Sequence, residues 1–143
     1  MPALVDSNVL VYSVDRRFPE KRRVATALLR KGIQEDSLRV PHQAILEFFS
    51  AVSRPQASGG SILSAEEARR ETEELLLQFT VLYPNDTIVR TALRATAAYR
   101  MSWYDAHLWA YADYYGLPEL ISEDFQDGRV YGTVRAVNPF PKE

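Results

Sequence analysis

Short apolar runs alternate with helix-like patterns along nearly the whole chain. Strand-like runs lie at 4–13 (LVDSNVLVYS, apolar at 3–6 and 9–12), 38–41, 80–84, 119–122 and 133–139. Because helical spacings fill the gaps, the order indicates βαβ units and a mostly parallel sheet. A length of 143 residues suits one domain. We therefore predict a single α/β domain over 1–143, with a five-stranded sheet flanked by helices on both faces.

Several helix ends are predicted from capping residues. Pro19 suits the first turn of the helix after the first strand, and Gly32 suits its C-terminal cap. Asp86 is a candidate cap for the helix after the third strand. Ser102 and Asp105 have the spacing of a capping box, so another helix is expected to begin there.

Composition excludes several kinds of protein. The chain has no cysteine, which rules out disulfides and thiolate metal sites. No stretch approaches the ~20 apolar residues that a membrane helix needs. The apolar N-terminus is interrupted by Asp6 and has no basic segment before it, so a signal peptide is not expected. These features favour a soluble cytoplasmic protein without a membrane partner.

Charge is unevenly distributed along the chain. Eight Lys or Arg residues and four acids lie within 14–39, whereas 104–127 holds six acids and no Lys or Arg. One interpretation is a basic approach surface beside an acidic cation site, and the other is two ordinary solvated faces. In the first case, phosphate groups would be contacted by Arg16, Arg17, Arg22 and Arg23.

Four carboxylates fall where the predicted fold can bring them together. Asp6 interrupts the first strand, although burying a lone carboxylate is costly, and Asp124 follows the fourth strand. In open α/β sheets the ligand crevice lies at the carboxyl ends of strands. Glu47 and Asp105 lie near the starts of helices. Taken singly, Glu47 could face solvent and Asp105 could serve only as a helix cap.

Four neighbouring carboxylates repel one another and raise each other's pKa values. A divalent cation removes that conflict, and an all-oxygen ligand set suits Mg²⁺ or Mn²⁺ rather than zinc. Carboxylate-held Mg²⁺ usually binds phosphate oxygens as well. The pattern therefore favours metal-assisted hydrolysis of a phosphodiester.

Five segments in order along the chain resemble PIN domains, and in particular the VapC toxins of bacterial toxin–antitoxin pairs. They are LVDSNVLVY, AILEFFSAV, SWYDAHLWAYA, LISEDFQDG and VRAVNPF. The resemblance implies a Mg²⁺- or Mn²⁺-dependent endoribonuclease whose RNA substrate is a tRNA or rRNA. It also implies a homodimer and a cognate VapB-type antitoxin whose tail blocks the acidic site.

The same resemblance assigns roles to individual residues. Asp6, Asp105 and Asp124 match the metal-binding acids, and Glu47 matches the family's helical glutamate, a catalytic residue. Supporting positions are matched by Asn8, Ser102 and Ser122, and Asp127 is a rival or partner of Asp124 for the fourth acid.

Two other interpretations stay open. A receiver-like signalling domain also has aspartates at strand ends and binds Mg²⁺, but it generally has paired acids after the first strand and a lysine near the last. This chain has Asn8 and Arg135 instead. The second alternative is a PIN module that binds RNA or a partner without catalysis, although all four acids are present.

Overall fold

The computed structural model describes residues 1–141; the last two residues of the predicted domain, 142 and 143, lie outside it. The elements run in this order: β1 (Ala3–Val5), α1 (Ser7–Tyr12), α2 (Pro19–Glu35), β2 (Leu38–Pro41), α3 (His42–Ser53), α4 (Ala65–Gln78), β3 (Thr80–Leu82), α5 (Asp86–Ala98), α6 (Trp103–Tyr114), β4 (Glu119–Ile121), β5 (Val130–Tyr131) and β6 (Val134–Val137). Within residues 1–141, no helix is both long and apolar enough to cross a membrane.

The strands form one sheet in the order β3-β2-β1-β4-β6-β5. All neighbouring pairs are parallel except β5 with β6, which is antiparallel. The five predicted strands are present and the mostly parallel sheet is confirmed. The sixth strand, β5, was not predicted because it has two residues; it pairs with β6 through a tight turn at Gly132, where φ is 63°.

Helices cover both faces of the sheet, as predicted. Successive residues of a strand point to opposite faces. In β1, Ala3 and Val5 therefore join the core beneath α1, α2, α3 and α4, whereas Leu4 joins the core beneath α5 and α6. In β4, Ile121 and Leu120 divide in the same way. This two-sided burial explains why the strand sequences are continuously apolar rather than alternating.

The predicted first strand is wrong beyond Val5, because residues 7–12 form helix α1. Val9 and Leu10 are both fully buried, so the helix carries an apolar run that looks like a buried strand. Asp6 is the N-cap of α1, and its carboxylate accepts a hydrogen bond of 2.6 Å from the Ser7 N–H. The aspartate thus ends the strand and begins a helix.

Two predicted caps are also wrong. Gly32 lies inside α2, which continues to Glu35 and ends at Asp36 in the left-handed region, with φ of 50°. Asn85, not Asp86, caps α5 by accepting a hydrogen bond of 3.0 Å from the Ile88 N–H. The predicted start of α2 at Pro19 is confirmed.

Candidate acidic site

The sheet order changes direction between β1 and β4. From β1 the chain proceeds to β2 and β3 on one side, whereas β4 and β6 lie on the other. A crevice opens at the carboxyl ends of two strands whose connections diverge in this way. Asp6 follows β1 directly, and Ser122 and Asp124 follow β4. Two of the predicted acids therefore lie at this switch point.

Hydrogen bonds join these residues into one network. The Asp6 carboxylate accepts from the Ser122 hydroxyl at 2.7 Å and from Asn8 Nδ2 at 3.3 Å. Asn8 Nδ2 also lies 3.2 Å from both Ser122 Oγ and Asp124 Oδ2. The Asp124 N–H donates to Ser122 Oγ at 3.1 Å. The predicted supporting residues Asn8 and Ser122 thus fix the orientation of Asp6 and Asp124.

Burial raises the pKa of Asp6 to about 6. Its side chain is almost inaccessible, so removal from water is the largest cause, and the negative charges of Asp124 and Glu47 add to the increase. Hydrogen bonds from Ser122 and Ser7 oppose it. The carboxylate is therefore held at a position where its charge is poorly solvated.

Glu47 on α3 and Asp105 in the first turn of α6 belong to the same group. Burial is the main cause that raises the pKa of each. The charges of Asp105 and Asp124 further raise the pKa of Glu47, and the charge of Asp124 also raises the pKa of Asp105. Asp124 thus lies within electrostatic range of the other three predicted acids, and Glu47, which is only partly exposed, does not simply face solvent.

Gln43 was not predicted as a site residue. Its Nε2 lies 3.5 Å from Glu47 Oε1 and 3.4 Å from the carbonyl oxygen of Tyr104, so it connects α3 to the first turn of α6. The available signal was its spacing of four residues from Glu47, which places both on one helix face. Ser7, which donates to Asp6, was also missed, because the run it belongs to looked like a strand.

Ser102 and Asp127 contribute differently. Ser102 caps α6, where its hydroxyl accepts the Asp105 N–H at 3.2 Å, as its spacing predicts. Asp127 accepts the Asn138 N–H at 2.9 Å and so secures the loop before β5 to the segment after β6. The geometry joins Asp124, and not Asp127, to the other acids.

The four predicted arginines are not equivalent. Arg17 makes bonds of 2.9 and 2.8 Å to the buried Asp15 and one of 2.9 Å to Gln56 Oε1, so its guanidinium is engaged within the protein. Arg23 forms an exposed pair with Glu20 at 2.7 Å. Arg16 and Arg22 are exposed. A shallow groove of about 360 Å³ on α2 is lined by Pro19, Arg22, Arg23, Thr26, Ala27 and Arg30.

A second groove borders the acidic site. It encloses about 400 Å³ and is lined by Ser7, Leu46, Glu47, Ser50, Ala51 and Arg54. Arg54, which the sequence did not single out, thus adds a positive charge to a groove that reaches a site carboxylate. This surface can receive an anionic chain beside the acids.

The donor chemistry of the site fits a hard divalent cation. Within residues 1–141, no three Asp, Glu or His side chains lie close enough to hold one ion together. The oxygen donors are nevertheless gathered at one edge. The Asn8 side chain is a further indication that a cation binds here. Its buried Oδ1 has no hydrogen-bond partner among the described residues, whereas its Nδ2 lies close to three oxygens. The residues that would hold the cation are Asp6, Asp105 and Asp124.

Several solved structures share the fold of this chain. A toxin–antitoxin complex from Klebsiella pneumoniae has 20% identity and a TM-score of 0.67, over 96% of this chain and 98% of that one. VapBC2 from Rickettsia felis, bound to a DNA fragment from their promoter, has 10% identity and a TM-score of 0.69, over 95% and 97%. PAE2754 from Pyrobaculum aerophilum has 21% identity and a TM-score of 0.59, over 87% and 80%. With sequence identities this low, it is the TM-scores that show a shared fold.

A comparison with curated protein sequences gave no significant match. The model of the PIN domain, however, matches residues 3–131, which include all four acids and both strands of the switch point. The chain therefore belongs to the PIN domain family.

Proposed function

We propose that this protein is a Mg²⁺- or Mn²⁺-dependent endoribonuclease, the toxin of a toxin–antitoxin pair. PIN domains are generally nucleases, and the match covers nearly the whole chain. The observation that carries the proposal is the gathering of Asp6, Glu47, Asp105 and Asp124 at the switch point of the sheet, where three of their pKa values are raised.

Distinct tasks follow for these side chains. Asp6, Asp105 and Asp124 would hold the cation, and the hydrogen bonds of Asn8 and Ser122 would fix the carboxylates of Asp6 and Asp124 for that task. When bound, the cation offsets the negative charge that develops on the phosphate.

Glu47 has a separate task. Its half-buried carboxylate, whose pKa burial raises, would accept the proton of the water that attacks phosphorus, while the bond from phosphorus to the leaving ribose oxygen breaks and that oxygen gains a proton from solvent. Gln43 orients that carboxylate from the adjacent turn of α3.

The partners follow from the same assignment. Two of the structures that share the fold are a toxin–antitoxin complex and VapBC2. We propose a cognate VapB-type antitoxin that occupies the acidic site and suppresses cleavage. We also propose a homodimer, whose mass light scattering would measure, and an RNA substrate of the tRNA or rRNA type in the cytoplasm.

The alternatives find less support. A receiver-like domain generally needs a basic side chain near the phosphorylated aspartate. Arg135 on β6 instead pairs with Glu119 at 2.6 Å, at the amino end of β4 and away from the crevice. A non-catalytic module has no need to keep four acids close together, in an arrangement that raises the pKa values of Asp6, Glu47 and Asp105.

Cleavage of purified tRNA and rRNA tests the proposal. The wild-type protein, freed of any antitoxin, is expected to cut RNA with Mg²⁺ or Mn²⁺ and not with EDTA. Asp6→Asn and Asp105→Asn should each lose about 10²-fold or more in rate, because each removes a carboxylate of the cation site. Wild-type protein that cuts neither RNA with either metal would overturn the proposal, and uptake of phosphate from acetyl phosphate would favour the receiver-like alternative.

A further inference from the structure

A cluster outside the acids lies behind the loop that carries Asp124. Glu123 Oε1 accepts a hydrogen bond of 2.7 Å from the Tyr12 hydroxyl, and Glu123 Oε2 lies 3.0 Å from Lys21 Nζ. Lys21 Nζ also lies 3.2 Å from the Tyr12 hydroxyl, which closes a triangle of contacts. Each of the three groups thus contacts the other two.

The cluster is partly shielded from water. The side chains of Lys21 and Glu123 are 25% and 23% exposed. Lys21 Nζ lies 4.7 Å from the centre of the Tyr12 ring and 5.7 Å from that of Phe140, and these two rings meet edge to face at 5.0 Å. A cation so enclosed is held more firmly than an exposed surface ion pair.

The position of Glu123 in the chain connects this cluster to the site. Glu123 stands between Ser122 and Asp124, both of which bond to Asn8. Asn8 and Tyr12 are four residues apart on α1 and therefore lie on one helix face. Helix α1 thus holds the loop at two points, through Asn8 on the acidic side and through Tyr12 on the other.

We infer that Lys21 and Tyr12 are positioning residues, which fasten Glu123 so that the adjacent Asp124 stays in place to bind the divalent cation. This inference rests on the proposed function. Neither residue touches the reacting atoms; both act through the backbone of Glu123.

Lys21→Met distinguishes this positioning role from a purely electrostatic effect of the lysine charge on cation binding. Removal of a positive charge near an acidic site should strengthen cation binding if charge alone matters. If Lys21 holds Glu123 in place, loss of that contact should weaken cation binding instead. We expect Lys21→Met to raise the Kd for Mn²⁺, measured by calorimetry, about threefold or more, since supporting groups around a metal site often matter by 10-fold or more.

Tyr12→Phe supplies a second, charge-neutral variant, because it keeps the ring and removes only the hydroxyl that bonds Glu123. It should also raise the Kd, and in the metal-free protein it should speed hydrogen exchange of the Asp124 amide. Arg135→Met is the matched control: it removes a cation paired with Glu119 at the other end of β4 and should not raise the Kd.

The outcomes separate the two proposals. Thermal unfolding first establishes that each variant is folded, and Tyr12→Phe serves if Lys21→Met is not. Wild-type binding of Mn²⁺ with an unchanged or lower Kd in Lys21→Met and an unchanged Kd in Tyr12→Phe overturns the positioning role and leaves the proposed function intact. Wild-type protein that binds no Mn²⁺ overturns both.

Discussion

Asp6 has two opposite effects on the stability of the folded protein. As the N-cap of α1 it stabilises the helix, because its carboxylate accepts the Ser7 N–H. As a buried acid it destabilises the fold once ionised, since its pKa rises from 3.8 to about 6. The folded protein binds more protons at this group than the unfolded chain between these values, so stability falls as pH rises through that window. At neutral pH, this pKa shift lowers the free energy of unfolding by about 3 kcal/mol.

Asp6→Asn should therefore stabilise the metal-free protein at pH 7 while it abolishes metal-dependent cleavage. Asparagine is as good an N-cap as aspartate, so the helix start is kept. One acceptor is lost from the network with Asn8 and Ser122, which reduces the expected gain in the free energy of unfolding to about 1–2 kcal/mol. Urea titrations at pH 7 and pH 4 measure it, and no gain is expected at pH 4, where the aspartate is neutral. A variant that lost stability at pH 7 would contradict the cost assigned to the buried charge.

The two candidates for the fourth acid differ in what they contact. Asp124 accepts a hydrogen bond from Asn8, and its negative charge raises the pKa values of the other acids. Asp127 instead accepts a hydrogen bond from the Asn138 N–H. Asp124→Asn should raise the Kd for Mn²⁺ about 10-fold or more. Asp127→Asn removes the same charge three residues away and should leave it within about twofold of wild type. The reverse order, measured by calorimetry, would assign the fourth acid to Asp127.

At the scale of elements, α1 shows what the sequence could and could not predict. Apolar spacing distinguishes a half-buried helix from a half-buried strand, but a short run buried on every side looks alike in both. Residues 9–12 are continuously apolar, which predicts a buried strand, whereas the structure buries Val9 and Leu10 in a helix. The sequence Asp-Ser-Asn at 6–8 held the missing signal, since such residues favour helix starts. Asp6 was read only as a site residue, and its capping role was missed.

Gly32 was predicted as a helix cap, yet the structure assigns it a packing role. It is buried within α2, and a Cβ at this position would lie 2.2 Å from Leu38 Cδ1 and 2.5 Å from Leu38 Cγ. Alanine in a helix interior normally gains about 0.5–1 kcal/mol over glycine. Here overpacking against β2 should outweigh that gain, so Gly32→Ala should lower the free energy of unfolding by about 1–2 kcal/mol.

Leu38→Ala provides the test of that cause. In the Leu38→Ala background the two closest atoms are absent and only the Cβ of residue 38 remains, 3.2 Å from the added methyl group, so Gly32→Ala should destabilise much less in urea titrations. Ala27→Gly, at an exposed position of the same helix, controls for helix propensity and should cost about 0.5–1 kcal/mol. If Gly32→Ala destabilised both backgrounds equally, contact with Leu38 would not be the reason for the glycine.

At the scale of the whole molecule, the alternation of strands and helices was sufficient to predict the parallel sheet, and the carboxyl edge then located Asp6 and Asp124. The convergence of Glu47 and Asp105 depends on how α3 and α6 cross the sheet, which spacing alone does not specify. Gln43, which links these two helices, was missed for that reason. Spacing alone also could not distinguish Asp124 from Asp127 in the loop before β5, because that choice required the tertiary structure.

The carboxylates of the site make the stability of the whole molecule depend on cations and on pH. If the proposed function is right, a divalent cation would relieve their repulsion and bind only the folded protein, so it should raise Tm; at a concentration of 100 Kd the gain in the free energy of unfolding would be about 2.7 kcal/mol. The cation would compete with protons for Asp6, whose pKa is about 6, and for Glu47 and Asp105, whose pKa values are also raised.

Calorimetric scans with and without MgCl₂ should therefore show a larger rise in Tm at pH 7 than at pH 5. NaCl at equal ionic strength controls for screening of the same repulsion, and it should raise Tm less than MgCl₂ at pH 7. Asp124→Asn, which removes one carboxylate of the network, should reduce the difference between the two salts. Equal effects of the two salts, or an equal rise at both pH values, would show that the acids repel one another without forming a site for a divalent cation.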